Sequence, residues 1–331
     1  VNHYYIKKTT TSELFTYAIK GMLTQLDPHS SYLDATDYKD MNTTVSGQFV
    51  GIGIEITASK GALKIITPLD GTPAYKAGLK PNDLIIKVGD TLVQNMTLRQ
   101  ASNKIKGPKG STVKLTIIRK NAKKPLIFNI KRGTIKISSV KSKLLEPHYG
   151  YIKIVFFQGP VSKQLHIALN KLNNASHHSL RGLILDLRNN PGGLLQESAK
   201  VADTFLDAKT LKQYNNVIVY TKGRTKQSDT SIKDTSKDKT NHLPIVVLIN
   251  EGSASAAEIV AGALQDYHRA IIMGTRSFGK GSVQSVIPIT HDSAIKITTA
   301  LYYTPSGRVI QSQGITPDVN VPEFKISKKS T

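Results

Sequence analysis

The chain contains no cysteine and no tryptophan. Without cysteine there are no disulfides, no thiolate metal sites and no cysteine nucleophile, and the sequence suits any redox compartment. Long apolar runs are also missing: nothing approaches the roughly 18 consecutive apolar residues of a membrane span. No signal peptide is recognisable. Because the first residue is Val1, a targeting or anchoring segment is expected to belong to a stretch that precedes it. Acidic residues are scarce, 23 Asp and Glu against 45 Lys and Arg, for a formal charge of +22. The imbalance is concentrated in residues 48–133, which hold 16 Lys and Arg against 4 Asp and Glu, +12 of the +22. Such a surface suits nucleic acid, anionic membranes or acidic substrates. No RNA-binding aromatic motif or zinc-finger spacing accompanies it, so no nucleic-acid partner is expected and a solvated basic face is the simpler reading. The nine histidines form no H-E-x-x-H. His177-His178 reads as a solvated pair, and no metal site is expected.

At 331 residues the chain has room for two or three units. Residues 12–26 predict an amphipathic helix, with Leu14, Phe15, Ala18, Ile19, Met22, Leu23 and Leu26 at helical period and Ser12 as N-cap. Asp27-Pro28-His29-Ser30-Ser31 ends it, and 41–47 reads as a polar connector. From Gln48 short strands take over. Val50–Ile56 is one, Leu63–Ile66 its partner, and further strands are predicted at 83–88, 113–119 and 126–131. A short helix over 72–79 stops at Gly78, and a second, over 97–106, is capped by Thr97. After Gly133 the character is α/β. Strands are expected at 150–157 and 183–187, helices at 162–173 and 194–205, and a hairpin at 282–304 turning around Thr290–Ser293. Residues 222–240 hold one apolar residue in nineteen and read as a mobile loop. The basic tail from Pro322 is expected to fray.

Residues 243–284 carry the chemistry. An apolar run, Pro244–Ile249, breaks at Asn250-Glu251-Gly252. A helical pattern follows, then a second apolar run and Lys280 between two glycines. A helix start presents unpaired N–H groups and partial positive charge, and Ser255 sits there. Ser255-Ala256-Ala257-Glu258 is also a capping box, a purely structural use of the same residues. Two features favour chemistry. The Ala256 N–H lies next to the hydroxyl, and the loop Asn190-Pro191-Gly192-Gly193 closes another strand and can bring a second N–H to the same point, together suiting an oxyanion. Lys280 is the candidate base. At pH 7 a free lysine costs about 4.6 kcal/mol to deprotonate, and burial lowers a lysine pKa by roughly 3–5 units. If 280–284 is extended, Lys280, Ser282 and Gln284 share a face, and Gln284 can orient the amine. G-T-R-S-F-G-K at 274–280 matches the start of a phosphate-binding Walker motif, but Gly281 stands where Ser or Thr is required and a strand follows, which disfavours a nucleotide hydrolase. G-x-S-x-G is absent.

Two resemblances follow from these residues. G-I-G-I at 51–54, T-P-A-x-x-A-G-L at 72–79, N-D-x-I at 82–85 and G-P-x-G-S at 107–111 resemble a PDZ domain of the bacterial protease type. That implies capture of a ligand's C-terminal strand, its carboxylate held by the N–H groups of Val50, Gly51, Ile52, Gly53 and Ile54, with the 97–106 helix as the opposite wall. The runs G-S-A-S-A-A-E at 252–258 and G-T-R-S-F-G-K-G-S-V-Q at 274–284 resemble the C-terminal processing (tail-specific) peptidases. So do D-P-H-S-S-Y-L at 27–33, D-L-R-N-N-P-G-G at 186–193, and Y-Y-T-P-S-G-R-x-I-Q at 302–311, followed by G-I-T-P-D at 314–318. The resemblance spans about 11–321. It implies an N-terminal helical segment (1–46), an inserted β-rich PDZ domain (47–133) and a crotonase-like α/β peptidase core (134–331). It implies Ser255 as nucleophile, Lys280 as general base, Gln284 as its partner and Glu258 in support, with Gly193 and Ala256 forming the oxyanion hole. No cofactor is implied. The expected activity is endopeptidase cleavage of proteins near apolar, disordered C-termini, in the bacterial cell envelope, in the periplasm of a Gram-negative cell. An adaptor protein and a homo-oligomer fit the family. The rival reading is a non-catalytic PDZ-containing binding or scaffold protein on the same fold. Lys106 stands where relatives often carry arginine, and lysine lacks the bidentate fork.

Overall fold

Thr10 starts the first helix. Glu13 N–H donates to Thr10 Oγ1 at 3.2 Å and Thr10 N–H donates to Glu13 Oε2 at 2.7 Å, a reciprocal cap. α1 therefore runs Thr11–Thr24, with Thr10 instead of the predicted Ser12 as cap, because the box needs its Glu three residues on. Of the predicted apolar face only Leu23 is buried, while Phe15 and Met22 are exposed. After β1 (Ser31–Leu33), most of the expected 41–47 connector turns out to be helical, completing α2 (Ala35–Ser46). Asp34 Oδ1 accepts from the Thr36 and Asp37 N–H groups at 3.0 Å and so caps α2. The sequence hides this helix because it has no buried residue and so no apolar period. The computed structural model describes residues 1, 4–59, 61–136, 138–209 and 212–322, so the expected fraying of the tail beyond Pro322 lies outside the described residues.

The chain divides into two units, Gly47–Ile137 and the remainder. The smaller unit contains β2 (Gln48–Gly51), β3 (Ile54–Ser59), β4 (Ala62–Pro68), α3 (Pro73–Lys76), β5 (Leu84–Val88) and β6 (Thr91–Leu92), then α4 (Leu98–Ile105), β7 (Thr112–Ile118), β8 (Leu126–Lys131) and β9 (Gly133–Lys136). One sheet has the order β3-β4-β5-β7-β8 with β6 on β5, and β2 pairs antiparallel with β9. That pairing carries the unit past the expected edge at Gly133. The single strand expected over 50–56 is two, parted at Ile52-Gly53. Gly53 has φ +79°, and a Cβ there would sit 2.4 Å from Thr72 Cβ, so only glycine fits the break. Ile52, Leu63, Ile65, Ile85, Leu115 and Ile117 fill the core together with Ala101 and Ile105 of α4. Asp83 is buried and paired with Arg119 through two bonds of 2.7 Å, the satisfied form in which a buried charge is tolerated.

The remainder adds β10 (Val140–Glu146), β11 (Tyr149–Ile154), α5 (Val161–Ala175), β12 (Gly182–Asp186), α6 (Leu195–Asp203), β13 (Val217–Gly223) and β14 (Thr230–Lys233). β15 (Ile245–Ile249), α7 (Ala256–Asp266), β16 (Ile271–Gly274), β17 (Ser282–Pro288), β18 (Ala294–Tyr303) and β19 (Val319–Asn320) complete it. One sheet, β10-β11-β12-β15-β16-β19, is parallel from β11 onward; the other has β1-β18-β13-β14 with β17 on β18. Parallel strands buried on both faces read as continuous apolar runs, as Leu183–Leu185 and Ile245–Ile249 do. The helix α7 is buried almost all round. The predicted hairpin over 282–304 forms as β17 and β18. Residues 222–240, expected as a mobile loop, instead include β14, paired with β13. Polar bonds replace the missing apolar anchors: Thr221 Oγ1 accepts from Thr230 N–H at 2.9 Å, Thr235 N–H donates to Asp203 Oδ1 at 3.0 Å, and Arg269 Nε donates to Asp238 Oδ2 at 2.8 Å.

Candidate active site

β12 and β15 are neighbouring parallel strands, and their carboxyl ends carry the two turns that matter, the usual place for a site in such sheets. The turns are tied together by short polar bonds. Asn189 N–H donates to Asn250 Oδ1 at 2.9 Å, Ser253 Oγ to the Leu187 carbonyl at 2.8 Å, and Ala254 N–H to the Asn190 carbonyl at 2.9 Å. Ser253 is thereby consumed in structure. Ser255, at the N-terminus of α7, has φ +56° and ψ −116°. A side-chain-bearing residue adopts that conformation only when its surroundings impose it, and such strain collects at functional positions.

Gly192 presses on this turn. A Cβ there would lie 2.6 Å from Ser255 Cβ and 3.0 Å from the Ala256 nitrogen. The Gly192 N–H is used, donating to Asn190 Oδ1 at 2.9 Å. By contrast, neither Gly193 nor Ala256 donates its N–H to an acceptor among the described residues. A Cβ on Gly193 would lie 2.1 Å from the Phe157 carbonyl oxygen, so the position excludes any side chain.

Glu258 joins the serine turn to the lysine loop. Its Oε2 accepts from the N–H groups of Ser255 at 2.7 Å and Lys280 at 2.9 Å, and its Oε1 accepts from Ser277 Oγ at 2.6 Å and Gly279 N–H at 2.7 Å. The carboxylate half of the capping box therefore also fixes a loop more than twenty residues away. Burial pushes the Glu258 carboxyl above its usual range, against the pull of those four donors. The Lys280 ammonium is half-buried; burial pushes its pKa down, and the Lys296 charge adds to that. No hydrogen bond joins Ser255 to Lys280 among the described residues. Gln284 does not reach Lys280 either: its Nε2 donates to Ser282 Oγ at 2.9 Å and approaches Thr298 Oγ1 at 3.4 Å. Ser282 and Gln284 thus meet on one side of β17, while the strand begins only at Ser282, so the extended run does not reach back to Lys280.

The sequence reading missed Tyr302. It is 2% exposed; its hydroxyl donates to the Lys280 carbonyl, and its N–H donates to the Gly281 carbonyl at 2.9 Å. The Y-Y-T-P-S-G-R run held the signal, but only the pairing of β18 with β17 shows which tyrosine turns inward.

In the smaller unit, the Ile52 and Ala74 main chains are joined at 2.8 Å through the Ile52 carbonyl, and Leu69 N–H donates to the Gly53 carbonyl at 2.9 Å. The N–H groups of Ile52 and Gly53 donate to no acceptor among the described residues. Among the described residues β3 pairs with β4 alone, so its other edge is open there. Val50 and Gly51 are engaged with β9, and Ile54 begins β3. Lys106 Nζ lies 5.9 Å from the centre of the Phe49 ring, while Arg132 takes the α4 carboxyl end, donating to the Ile105 and Lys104 carbonyls at 2.8 and 3.0 Å.

Comparison with known proteins places this geometry. A model of Peptidase family S41 matches residues 148–321, and a PDZ domain model matches 40–118. The carboxy-terminal-processing protease of Bartonella bacilliformis is 45% identical over 321 residues, covering 96% of this chain and 72% of that protein. The carboxy-terminal processing protease CtpA of Bacillus subtilis is 37% identical over 323 residues, covering 97% and 67%. A CtpA-like relative in Staphylococcus epidermidis is longer still, the chain spanning 63% of it. Among solved structures, the photosystem II D1 C-terminal processing protease aligns over 97% of this chain and 85% of that one, with a TM-score of 0.55 and 29% identity. The chain belongs to Peptidase family S41 and carries a PDZ domain.

Proposed function

We propose that this protein is a serine endopeptidase that cleaves proteins near their C-termini. Ser255 attacks the scissile carbonyl carbon while neutral Lys280 takes the Oγ proton; the Gly193 and Ala256 N–H groups receive the oxyanion. The ammonium of Lys280 then gives its proton to the leaving amine, and the acyl-enzyme is released by a water that Lys280 deprotonates in turn. Glu258 supports the site by holding the Ser255 and Lys280 main chains to one carboxylate. Gln284 enters as the lysine's partner once its amide turns from Ser282. The observation that carries this reading is Ser255 itself, held at positive φ beside the unspent Ala256 N–H, with its backbone joined through Glu258 to that of Lys280. An unstructured apolar tail would add to the open edge of β3, its carboxylate on the N–H groups around Ile52 and Gly53. We place the protein in the bacterial cell envelope, on the periplasmic side in a Gram-negative cell, which fractionation of expressing cells checks. No described helix is long and apolar enough to cross a membrane.

The test is cleavage of an unfolded protein with an apolar C-terminus, together with labelling by a serine-directed fluorophosphonate. Ser255→Ala and Lys280→Ala are each expected to cut the rate by about three orders of magnitude or more, and Ser255→Ala to abolish labelling. Undiminished hydrolysis by either variant sinks the mechanism, and an unlabelled, inactive parent would favour a binding protein.

A further inference from the structure

Three neighbouring strands, β11, β12 and β15, are tied together at their carboxyl ends by one side chain and its carbonyl. Asn190, in the turn after β12, is completely buried. Its Nδ2 donates to the carbonyl of Ile154, the last residue of β11, at 2.8 Å, and its Oδ1 accepts from Gly192 N–H at 2.9 Å. Its own carbonyl accepts from Ala254 N–H, in the turn after β15, at 2.9 Å. The amide cannot be turned over, because a carbonyl only accepts and an N–H only donates, so each partner demands the atom it meets. Gly192 held in this way lies against the serine turn: a Cβ on it would fall 2.6 Å from Ser255 Cβ and 3.0 Å from the Ala256 nitrogen. Its carbonyl in turn accepts from Phe157 N–H at 2.7 Å. With the Gly192 N–H spent on Asn190, the next donor along the loop is Gly193, whose N–H meets no acceptor among the described residues.

We propose that Asn190 is a positioning residue for the reaction, its side-chain amide clamping the Gly192 loop to the end of β11 and so setting that loop against the Ser255 turn. This rests on the reading of Ser255 as nucleophile and of Gly193 and Ala256 as oxyanion donors. Without the Asn190 oxygen, the Gly192 N–H has to find another acceptor and the peptide units of the loop rotate. The Gly193 donor moves with them, and a donor displaced from the developing oxyanion stabilises the transition state less while substrate binding is little changed. An asparagine that merely satisfied buried groups would instead show its loss in stability and leave turnover per folded molecule unchanged.

The experiment uses the full chain with Asn190→Ala, Asn190→Asp and Ser255→Ala. It measures steady-state cleavage of a peptide with a free apolar C-terminus, the rate of fluorophosphonate labelling, and thermal unfolding, with every rate referred to the folded fraction at that pH. Asn190→Ala is expected to lower kcat and the labelling rate together by about ten- to a hundredfold, with KM within about twofold of the parent. Asn190→Asp supplies a rescue that can be switched. A protonated carboxyl donates to the Ile154 carbonyl and accepts from Gly192 N–H, as the amide does, whereas an ionised one can only accept. Dividing its kcat by that of the parent at the same pH cancels the Lys280 limb. The ratio should lie within about threefold of unity at the acid end and fall by about tenfold or more as pH rises. A folded Asn190→Ala protein with parental kcat, a loss confined to KM, or an Asp variant no better than Ala at the acid end overturns the inference. Should Asn190→Ala not fold, the Asp variant decides alone: a ratio that falls with pH supports the clamp, and one that stays level or climbs overturns it. If Ser255→Ala is inert while Asn190→Ala works normally, only the role of Asn190 falls. If Ser255→Ala still labels and cleaves like the parent, the assignment of Ser255 falls and this inference with it.

Discussion

As the proposed base, Lys280 has to lose its proton before it can act, and its surroundings work toward that. Burial first, then the Lys296 charge, push its pKa below the ordinary lysine range. On the proposed mechanism the base functions neutral, so kcat/KM should rise with pH along a limb whose midpoint lies below the free-lysine value of about 10.4. Lys296→Met removes the repelling charge and should move that midpoint upward, readable in a pH–rate profile; an unmoved midpoint would mean Lys296 is screened out. The linkage to stability has the opposite consequence for the lysine itself. With a folded pKa below the unfolded one, the unfolded state binds the proton more readily, so stability rises with pH across the window between the two values. Lys280→Met should therefore be inactive yet melt no lower than the parent near pH 7. At this scale the sequence was legible for the residues proposed to react and less so for those that hold them. Ser255, Lys280 and Glu258 lie in short runs with recognisable spacing. The two bonds from Ser277 and Gly279 to Glu258, and the bond from the Tyr302 hydroxyl to the Lys280 carbonyl, depend on strand register that no local pattern carries.

Elements with a buried apolar stripe were visible in advance, and those held by polar bonds were not. The segment 222–240 is the clearest instance. Its anchoring groups include Asp234, whose Oδ2 is buried without a donor and which faces Asp203; burial first, then that neighbour, raise its pKa to about 7. A proton shared by the two carboxyls supplies the missing donor. Because the folded pKa of Asp234 lies above the unfolded value of about 3.9, the stability its protonation contributes is fully present below about pH 4 and is lost as pH rises through about 7. Thermal midpoints of the parent should fall across that window, and those of Asp234→Asn should stay flat. Equal slopes in both proteins would show that the pair shares no proton. The break between β2 and β3 is a second element-level test. Gly53→Ala forces a Cβ into Thr72 at positive φ, and should cost about 1–3 kcal/mol in denaturant unfolding. Paired with Thr72→Gly, which clears the space, it should regain part of that loss.

For the whole molecule, the division of labour between the two units is the main question. If the smaller unit selects the tail, joining Ser46 to Ser138 in its absence should narrow the difference between substrates with free and blocked C-termini to about twofold, measured as kcat/KM for each. Equal cleavage of both substrates by the intact protein would remove tail selection from the account. The α/β order after Gly133, the strand-rich stretch before it and the helical start were all readable from pattern. The exact limits were not, since the smaller unit ends with β9, and only its pairing with β2 shows that it belongs there. That same pairing bears on how the chain folds. Gln48 and Lys136 lie directly opposite one another, about 5 Å apart between Cα atoms as in any antiparallel pair. Once the smaller unit has formed, the flanking segments leave it side by side, and the larger unit closes its long-range pairings, β1 with β18 among them, around a short bridge instead of a long floppy loop. Loop-closure entropy grows with the logarithm of loop length, and non-local pairing slows folding. An insertion that zips its own ends together therefore shortens the effective chain through which its host has to search.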